Sequence, residues 1–438
     1  MILNYFKLAL RVMLRRKFFT FISLFGISFT LMVLMLIVSY LNSQFAATQP
    51  LSNVKELVIV PNIKLRKEYF DSIPKYDTTI VNGLTKIDTT YDVKSAGQSN
   101  SISDLSRRVI EDYLFKLSST KLVSFASRGN NFDLYRNNQK VSISVSYIGP
   151  NYFDILDYKI LEGRLLDEND NKQSKHNIVI TSKLAIKLFG KTENVVGQSI
   201  DFDNQDFKIV GVVETPKPKN RLFNQNVFAS ESLYEEGADN FYFGNCILIA
   251  KGPVDLIKKD ILFAATKIPF QDPEKYNELI VNPMTYKEMF ASDFDFSEDP
   301  TKAYNILKYI LIGILAFFIL LPLLNLVNLN VSRIMDRSSE IGVRKAFGAT
   351  DNHILYQYIF ENVIQTLLGG AIGLIMALMA IYYINTSGLL NEMELSVSPT
   401  FFFYSLLATL FFGLLSGVMP AYIISKSHIV TSLKSKQL

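Results

Sequence analysis

Residues 309–331, YILIGILAFFILLPLLNLVNLNV, decide the fold of this 438-residue chain, because they hold no charged residue from end to end. A helix of about 20 apolar residues crosses the hydrocarbon core of a bilayer. One charge in the middle of such a helix would cost roughly 2.5–3.5 kcal/mol on insertion scales. The stretch therefore predicts a transmembrane helix over 309–331.

Three further apolar runs lie at 18–41, 358–384 and 400–424, and the charged residue among them, Glu361, is near the start of its run. We therefore predict four transmembrane helices. The run 18–41 is far longer than the roughly 7–15 apolar residues of a secretory signal, so we interpret it as a span. The small residues Ala46 and Ala47 behind it leave a cleaved signal open as the alternative.

Lys and Arg lie on alternate sides of these runs. The N-terminal tail 1–17, the segment 333–357 and the tail 425–438 are basic, whereas the short loop 385–399 has two acids and no base. Basic loops stay on the cytoplasmic side. We therefore expect both termini and the segment 333–357 in the cytoplasm, and residues 45–305 outside.

The N-terminal tail 1–17 has helical periodicity. Lys7, Arg11 and Arg15 follow one another at four-residue steps, while most apolar residues lie on the other side. This pattern is typical of an amphipathic helix lying in the membrane interface. A basic flank that only fixes topology is the equally weighted alternative.

Spans three and four carry Gly369-xxx-Gly373 and Gly413-xxx-Gly417. Small residues one turn apart let two helices approach closely. We favour packing within the chain over a dimer contact, because glycine is common in membrane helices.

The external region 45–305 has a mixed α+β pattern, and its single cysteine, Cys246, cannot form an intrachain disulfide. An ordinary apolar core must therefore hold it together. The stretch 71–101 is rich in Thr, Asp, Ser and Asn, and we expect a mobile loop there. Periodicity predicts helices over 103–117, 183–189 and 255–266, and strands over 132–135, 141–147, 178–181, 199–202, 207–213, 246–250 and 279–281.

Several chemical motifs fail on their spacing. The triplet GKT at 190–192 resembles the end of a phosphate-binding loop, but the loop's first glycine is replaced by Ala185. The acidic run 167–171 begins like a calcium loop, yet Lys172 holds the glycine position, so we interpret a solvated acidic turn. Three scattered histidines cannot form a local metal cluster, and a net charge of +4 does not indicate nucleic-acid binding. We expect no catalytic residue, cofactor or metal, and no enzymatic activity in this chain.

The segment 333–350, RIMDRSSEIGVRKAFGAT, carries the most specific motif. It resembles the signature of the MacB/FtsX/LolC family of ABC transporter permeases, which reads close to R-x-x-E-I-G-I-R-K-A-x-G-A. The match runs through Glu340, Ile341, Gly342, Arg344, Lys345, Ala346, Gly348 and Ala349. Further matches to the family lie at Gly163-Arg164, Leu188-Phe189-Gly190, Val210-Gly211-Val212 and Pro420-Ala421.

The resemblance covers nearly the whole chain and implies the MacB-type order, with one span before a MacB-like periplasmic core domain and three after it. It implies a multi-pass subunit of the bacterial inner membrane with a large periplasmic domain. MacB carries an ATPase in its own chain, whereas here the resemblance implies a separate ABC ATPase dimer. The other implied partners are a second permease subunit, identical or related, a periplasmic adaptor or outer-membrane protein, and the lipid bilayer.

The resemblance assigns ATPase coupling to the cytoplasmic segment. The expected coupling residues are Glu340, Ile341, Gly342, Arg344, Lys345, Phe347 and Gly348. Glu340 and Arg344 are four residues apart and would pair on a helix. The basic residues would meet acidic groups of the partner, and the glycines would permit close approach or stop a helix. The alternative is a solvated basic loop that only sets topology.

The implied function is mechanotransmission, in which closure of the ATPases moves the permease subunits and their periplasmic domains. The cargo classes of such systems are peptides, drugs and lipoproteins, handled by export or extraction. An FtsX-like regulator that activates a cell-wall hydrolase is the alternative. A sensor or scaffold without an ATPase ranks last, because it leaves 340–349 without a purpose.

Overall fold

The computed structural model describes residues 11–45 without 12 and 16, 49–81, 84–136, 139–216, 222–234 without 224, 242–269, 275–335, 343–387 without 345, and scattered positions between 389 and 414. The chain divides into two compact units. We call Ala46–Leu307 the outer unit, and Met1–Phe45 with Lys308–Leu438 the membrane unit.

The helices and strands are numbered in chain order. The helices are α1 (Lys17–Phe45), α2 (Arg107–Val109), α3 (Tyr152–Ile155), α4 (Glu168–Lys172), α5 (Ser182–Phe189), α6 (Val254–Ala265), α7 (Tyr286–Ser292), α8 (Pro300–Met335) and α9 (Asp351–Ser387). The strands are β1 (Leu57–Val60), β2 (Ile63–Val81), β3 (Leu84–Ser103), β4 (Leu105–Ser106), β5 (Thr120–Ala126), β6 (Asn130–Arg136), β7 (Gln139–Ile148), β8 (Ile160–Gly163), β9 (Asn177–Thr181), β10 (Ser199–Phe202), β11 (Gln205–Val213), β12 (Val227–Ser230), β13 (Tyr242–Phe243), β14 (Asn245–Ala250), β15 (Glu278–Val281) and β16 (Met284–Thr285).

Three described helices are long and apolar enough to cross a membrane, at Lys17–Phe45, Pro300–Phe318 and Asn352–Ser387. The predicted spans 18–41, 309–331 and 358–384 lie within α1, α8 and α9. The predicted fourth span, 400–424, falls mostly outside the described residues, although 402–407 are helical. Residues 1–10 of the predicted N-terminal helix also lie outside them.

Helix α9 packs closely on α1 through the predicted glycine pair of span three. A Cβ atom added to Gly369 would lie 2.7 Å from a side-chain atom of Ile27. One added to Gly373 would lie 2.9 Å from the carbonyl oxygen of Ser28, which is backbone and cannot rotate away. The pair therefore serves packing within the chain, as the sequence suggested, while Gly413 and Gly417 lie outside the described residues.

We expect Gly373→Ala to lower the thermal unfolding midpoint of the full chain in mild detergent, because forcing atoms into a packed contact costs about 1–3 kcal/mol. Gly313 on α8 is the matched control, since an added Cβ there meets nothing within 4 Å. Equal midpoints for Gly373→Ala and Gly313→Ala would contradict the close contact between α1 and α9.

The outer unit is built on a mixed sheet. Its strands follow the order β10-β11-β9-β12-β7-β5-β14-β1-β16, with β6 added to β7 and β8 added to β11. The pairs β11–β9 and β12–β7 are parallel, whereas β12–β9, β14–β5 and β1–β14 are antiparallel. One apolar core forms around β7, β9, β11 and β12 with α5, and a second around β1, β5 and β14 with α6.

Most predicted elements of this unit are confirmed, because their signals are local. The sequence Asp203-Asn204 joins β10 to antiparallel β11, and both residues have positive φ, at 57° and 58°. Gly190, with φ 73°, ends α5. The triplet 190–192 therefore begins at a helix stop and is no phosphate loop. The predicted strands and helices at 132–135, 141–147, 178–181, 183–189, 246–250, 255–266 and 279–281 are β6, β7, β9, α5, β14, α6 and β15.

The expected mobile loop at 71–101 is wrong, because residues 71–81 and 84–101 belong to the paired strands β2 and β3. Register runs from Ile63 opposite Ser103 to Val81 opposite Leu84, with one irregularity after Tyr69. The stretch also contains Thr, Tyr, Ile and Val, which are residue types enriched in strands. We call this two-stranded arm the β2–β3 ribbon.

The expected helix over 103–117 is shorter than its periodicity suggested, and part of it is a wider π-helical turn. Ser103 ends β3, β4 follows, and α2 begins only at Arg107, where the Ser106 hydroxyl accepts the Val109 N–H at 3.3 Å. A π-helical turn over Ile110–Leu114 then ends the helical stretch. The apolar periodicity was real, but strand pairing of β4 with β13 removes the first residues from the helix.

The acidic run 167–171 is not the solvated turn that we expected, since Asp170 is fully buried within α4. Arg164 donates to its two oxygens at 2.6 and 2.9 Å, and Asn177 donates at 2.8 Å. Burial alone would raise the pKa of Asp170, but these hydrogen bonds and the Arg164 charge hold it far below the usual value. Asp170 thus joins α4 to the residue after β8 and to β9.

We expect Asp170→Asn to destabilise the outer unit by about 2–4 kcal/mol, somewhat less than loss of a fully buried ion pair, since Arg164 is half exposed. Because the folded-state pKa is lowered, the stabilisation is present above the ordinary pKa of 3.8 and declines as the pH falls below it.

The measurement is cooperative thermal unfolding of fragment 46–305, which we expect to fold alone. Asp201→Asn, on an exposed position of β10, is the control. A variant at 170 that matches this control at pH 7 would show that the buried pair is not stabilising.

Candidate functional site

The segment 333–357, which the sequence predicts to be cytoplasmic, is divided between three structural parts. Helix α8 continues to Met335, a short turn is described around 343–349, and α9 begins at Asp351. The predicted coupling residues Glu340, Ile341, Gly342 and Lys345 lie outside the described residues. Arg344, Phe347 and Gly348 lie within them.

The turn is closed by backbone hydrogen bonds. The Phe347 N–H donates to the Val343 carbonyl at 3.1 Å, and the Ala349 N–H donates to the Arg344 carbonyl at 3.0 Å. Gly348 has φ 92°, a left-handed conformation that favours glycine and stops a helical turn. Gly348 therefore acts as a stop, one of the two roles that its residue type suggested.

Arg344 fastens this turn to helix α9. Its Nη1 atom donates to Oε1 of Gln357 at 2.6 Å, in the second turn of α9. Ile354 and Tyr358 are buried on the same helix and pack with Ala349. The sequence pointed to Glu340 as the partner of Arg344 and missed Gln357, because their contact depends on how the chain turns at Gly348.

Phe347 is the apolar group that this turn presents, with 89% of its surface exposed. With so much of its surface exposed, Phe347 contributes little to the packing of the described part of the chain. Aromatic side chains of this kind often dominate binding at protein interfaces.

At the other end of helix α8, within the outer unit, Glu288 joins three helices. Its Oε2 atom accepts from Lys258 of α6 at 2.5 Å and from the Thr285 N–H at 2.7 Å. Its Oε1 atom accepts from the Thr301 hydroxyl, in the first turn of α8, at 2.9 Å. Burial alone would raise the pKa of Glu288, but the bonds from Lys258 and Thr285 hold it below its usual value. Glu288 is therefore a buried, ionised anchor for α8.

A second set of contacts lies just before α8. Glu298 accepts from Arg66 at 3.3 Å and from Lys64 at 3.5 Å, both on β2. Arg66 also donates to Glu278 of β15 at 3.2 Å. Sequence patterns could not reveal these partners, which are more than 200 residues apart.

The outer unit also has a cavity of about 350 Å³ at the carboxyl ends of the parallel strands β7 and β12. Ile148, Phe153, Leu165 and Ser230 are among its lining residues. Among the described residues, no group of three or more His, Cys, Asp or Glu side chains could hold a metal ion.

Two family sequence models match the chain. The MacB-like periplasmic core domain matches residues 20–256, and the FtsX-like permease C-terminal region matches residues 312–429. The first match contains most of the outer unit, and the second contains the turn at 343–349 with most of α8 and all of α9.

Curated relatives include two proteins named macrolide export ATP-binding/permease protein MacB. The one from Campylobacter jejuni is 26% identical over 294 residues, which cover 65% of this chain and 43% of the relative. The one from Aggregatibacter actinomycetemcomitans is 27% identical over 247 residues, which cover 55% of this chain and 36% of the relative. The chain therefore spans less than half the length of these relatives.

Solved structures with some likeness include the periplasmic region of MacB from Actinobacillus actinomycetemcomitans, at a TM-score of 0.35 and 18% identity over 44% of this chain and 85% of that one. The extracellular domain of the ABC-type transporter YknZ from Gram-positive bacteria aligns at a TM-score of 0.33 and 20% identity, over 41% and 89% of the two chains. Both scores are too low to support an argument, so the two sequence matches are the stronger finding.

Proposed function

Because this chain belongs to the family of MacB- and FtsX-like ABC transporter permeases, we propose that it is the membrane subunit of such a transporter, which converts ATP hydrolysis by a partner ATPase into movement of its outer unit. The observation that carries the proposal is the exposed Phe347 on a turn fastened to α9.

Phe347 would enter an apolar groove of the ATPase. Arg344 would hold the turn against α9 through Gln357, so that a push on Phe347 reaches the helix rather than bending a loose loop. Glu340, Ile341, Gly342 and Lys345 would complete the docking surface. The ATPase is a separate subunit in this proposal, and its dimer would engage two permease chains.

Movement would reach the outer unit along the helices. Helix α8 continues from Met335 to Pro300, and its first turn is bound to the outer unit by Glu288. Cargo would be handled by the outer unit, with no passage through the membrane unit. The family resemblance supports export or extraction of peptides, drugs or lipoproteins as the cargo classes.

We expect Phe347→Asp to abolish co-purification of the ATPase from a gentle detergent extract, since a charge would have to be desolvated in an apolar groove. Phe263→Asp on α6 is the control, because Phe263 is also exposed, at 64%, but lies in the outer unit. We also expect replacement of Arg344 and Lys345 by Glu to reduce stimulation of ATP hydrolysis. Unchanged ATPase binding and stimulation in membrane-inserted variants would refute docking at this turn.

We expect a cysteine at position 75 to react with an impermeant thiol reagent on intact spheroplasts, and a cysteine at position 347 to react only after permeabilisation. The native Cys246 is fully buried, and burial raises the pKa of its thiol, so the chain without an added cysteine should not be labelled. Labelling of Phe347→Cys from outside would reverse the proposed orientation.

A further inference from the structure

The β2–β3 ribbon belongs to a separate three-stranded sheet of order β15-β2-β3, and its third strand, β15, supports it only at its root. Strand β15 pairs with β2 over Ile63–Arg66, and from Lys67 to Val81 the described pairing of β2 is with β3 alone. At about 3.3 Å per residue, this free part is about 50 Å long. Since a two-stranded ribbon gains little from its own pairing, its direction depends on what holds the root.

Arg66 is the residue that holds the root together. It is largely buried, with a side chain 16% exposed. It donates to Asn100 of β3 at 3.2 Å, to Glu278 of β15 at 3.2 Å and to Glu298 at 3.3 Å. The first two contacts join strands of one sheet. The contact with Glu298 leaves the sheet, and Lys64 reinforces it from the same strand.

Glu298 is tied closely to the start of α8. The next residue, Asp299, caps the helix, and its Oδ1 atom accepts the N–H groups of Thr301 at 2.9 Å and Lys302 at 3.2 Å. A change in the direction of α8 therefore moves Glu298 with it. The Glu298 side chain is 65% exposed, and ion pairs this exposed contribute little to stability. The contact is better suited to guiding the ribbon than to holding the fold.

The buried anchor at Glu288 has the opposite character. Its carboxylate is 8% exposed and Lys258 is 14% exposed, so this contact is protected from water and salt. It connects α8 to α6, which packs in the second apolar core of the outer unit. The first turn of α8 thus has a protected attachment at Thr301 and an exposed one three residues earlier.

We infer that the β2–β3 ribbon is a moving arm of the transport cycle, and that Glu298 is the positioning residue through which α8 turns it about the fixed point at Glu288. The inference rests on the proposed function, because ATP-driven movement of α8 supplies the motion. A rotation of about 10° at the root would displace position 75, about 30 Å along the strand, by about 5 Å.

The test is the distance between spin labels at Lys75→Cys on the ribbon and Tyr135→Cys on β6, measured by pulsed EPR. Tyr135 is 78% exposed and Lys75 is exposed, and the buried Cys246 leaves the two new thiols as the reactive ones. The labelled full chain, diluted into unlabelled copies, is purified with its bound ATPase and compared without nucleotide and after trapping with ATP and vanadate.

We expect trapping to shift the 75–135 distance in the wild-type background and to leave it unchanged in Glu298→Gln, with the ATPase rate preserved in both. Glu278→Gln is the matched control, because it removes the other carboxylate on Arg66 without touching the start of α8. It should keep the shift.

Each other outcome counts against one of the two proposals. A distance shift that survives in Glu298→Gln contradicts the positioning role of Glu298. Loss of the shift in both Glu298→Gln and Glu278→Gln also contradicts that role, because the contacts of Arg66 would then only stabilise the root. A constant distance in the wild type, with normal ATPase binding and vanadate trapping, refutes the moving arm alone. Absence of any bound ATPase refutes the proposed function first, and the moving arm loses its energy source with it.

Discussion

Hydrocarbon offers no hydrogen-bond partner to a peptide group, and this constraint shapes the membrane unit. Its backbone must satisfy its own hydrogen bonds, which long helices achieve. Such helices gain little from the hydrophobic effect when they associate in lipid, so close packing has to hold them together. Gly373 meets this need by bringing α9 against the backbone of α1 at Ser28. Helices α1 and α9 therefore pack together, and Arg344 binds the turn at 343–349 to α9 through Gln357.

The outer unit solves a different problem, because water competes for its polar groups. Two apolar cores share one mixed sheet. The buried carboxylates of Asp170 and Glu288 each have a basic partner and a backbone N–H within hydrogen-bond distance. Asp170 stabilises the interior of the unit, whereas Glu288 lies where the unit joins α8. The same chemistry thus binds α4 to β9 at one position and α6, α7 and α8 to one another at the other.

The sequence was sufficient wherever a signal is short in range. Gly190 ends a helix and Asp203-Asn204 forms a hairpin turn through positive φ, which is a local property of those residue types. The apolar runs predicted α1, α8 and α9, because an uninterrupted run of apolar residues is also a local signal. The sequence analysis missed the ribbon because the polar residues of 71–101 were given more weight than its Thr, Tyr, Ile and Val residues, which favour strands. The contacts of Arg66 with Glu278 and Glu298, and of Glu288 with Lys258 and Thr301, depend on the tertiary fold. Sequence spacing patterns do not predict contacts between residues this far apart in the chain.

The way in which the ribbon is held at its root has a consequence for how such chains diversify. Only Ile63–Arg66 and the facing residues of β3 and β15 form all three strands of the small sheet β15-β2-β3. Adding two residues to each strand keeps every side chain on its own face, since the pleat repeats every two residues. The ribbon can therefore lengthen or shorten in steps of about 7 Å without disturbing either apolar core. The length of the ribbon can therefore change without a change in the contacts that stabilise the outer unit.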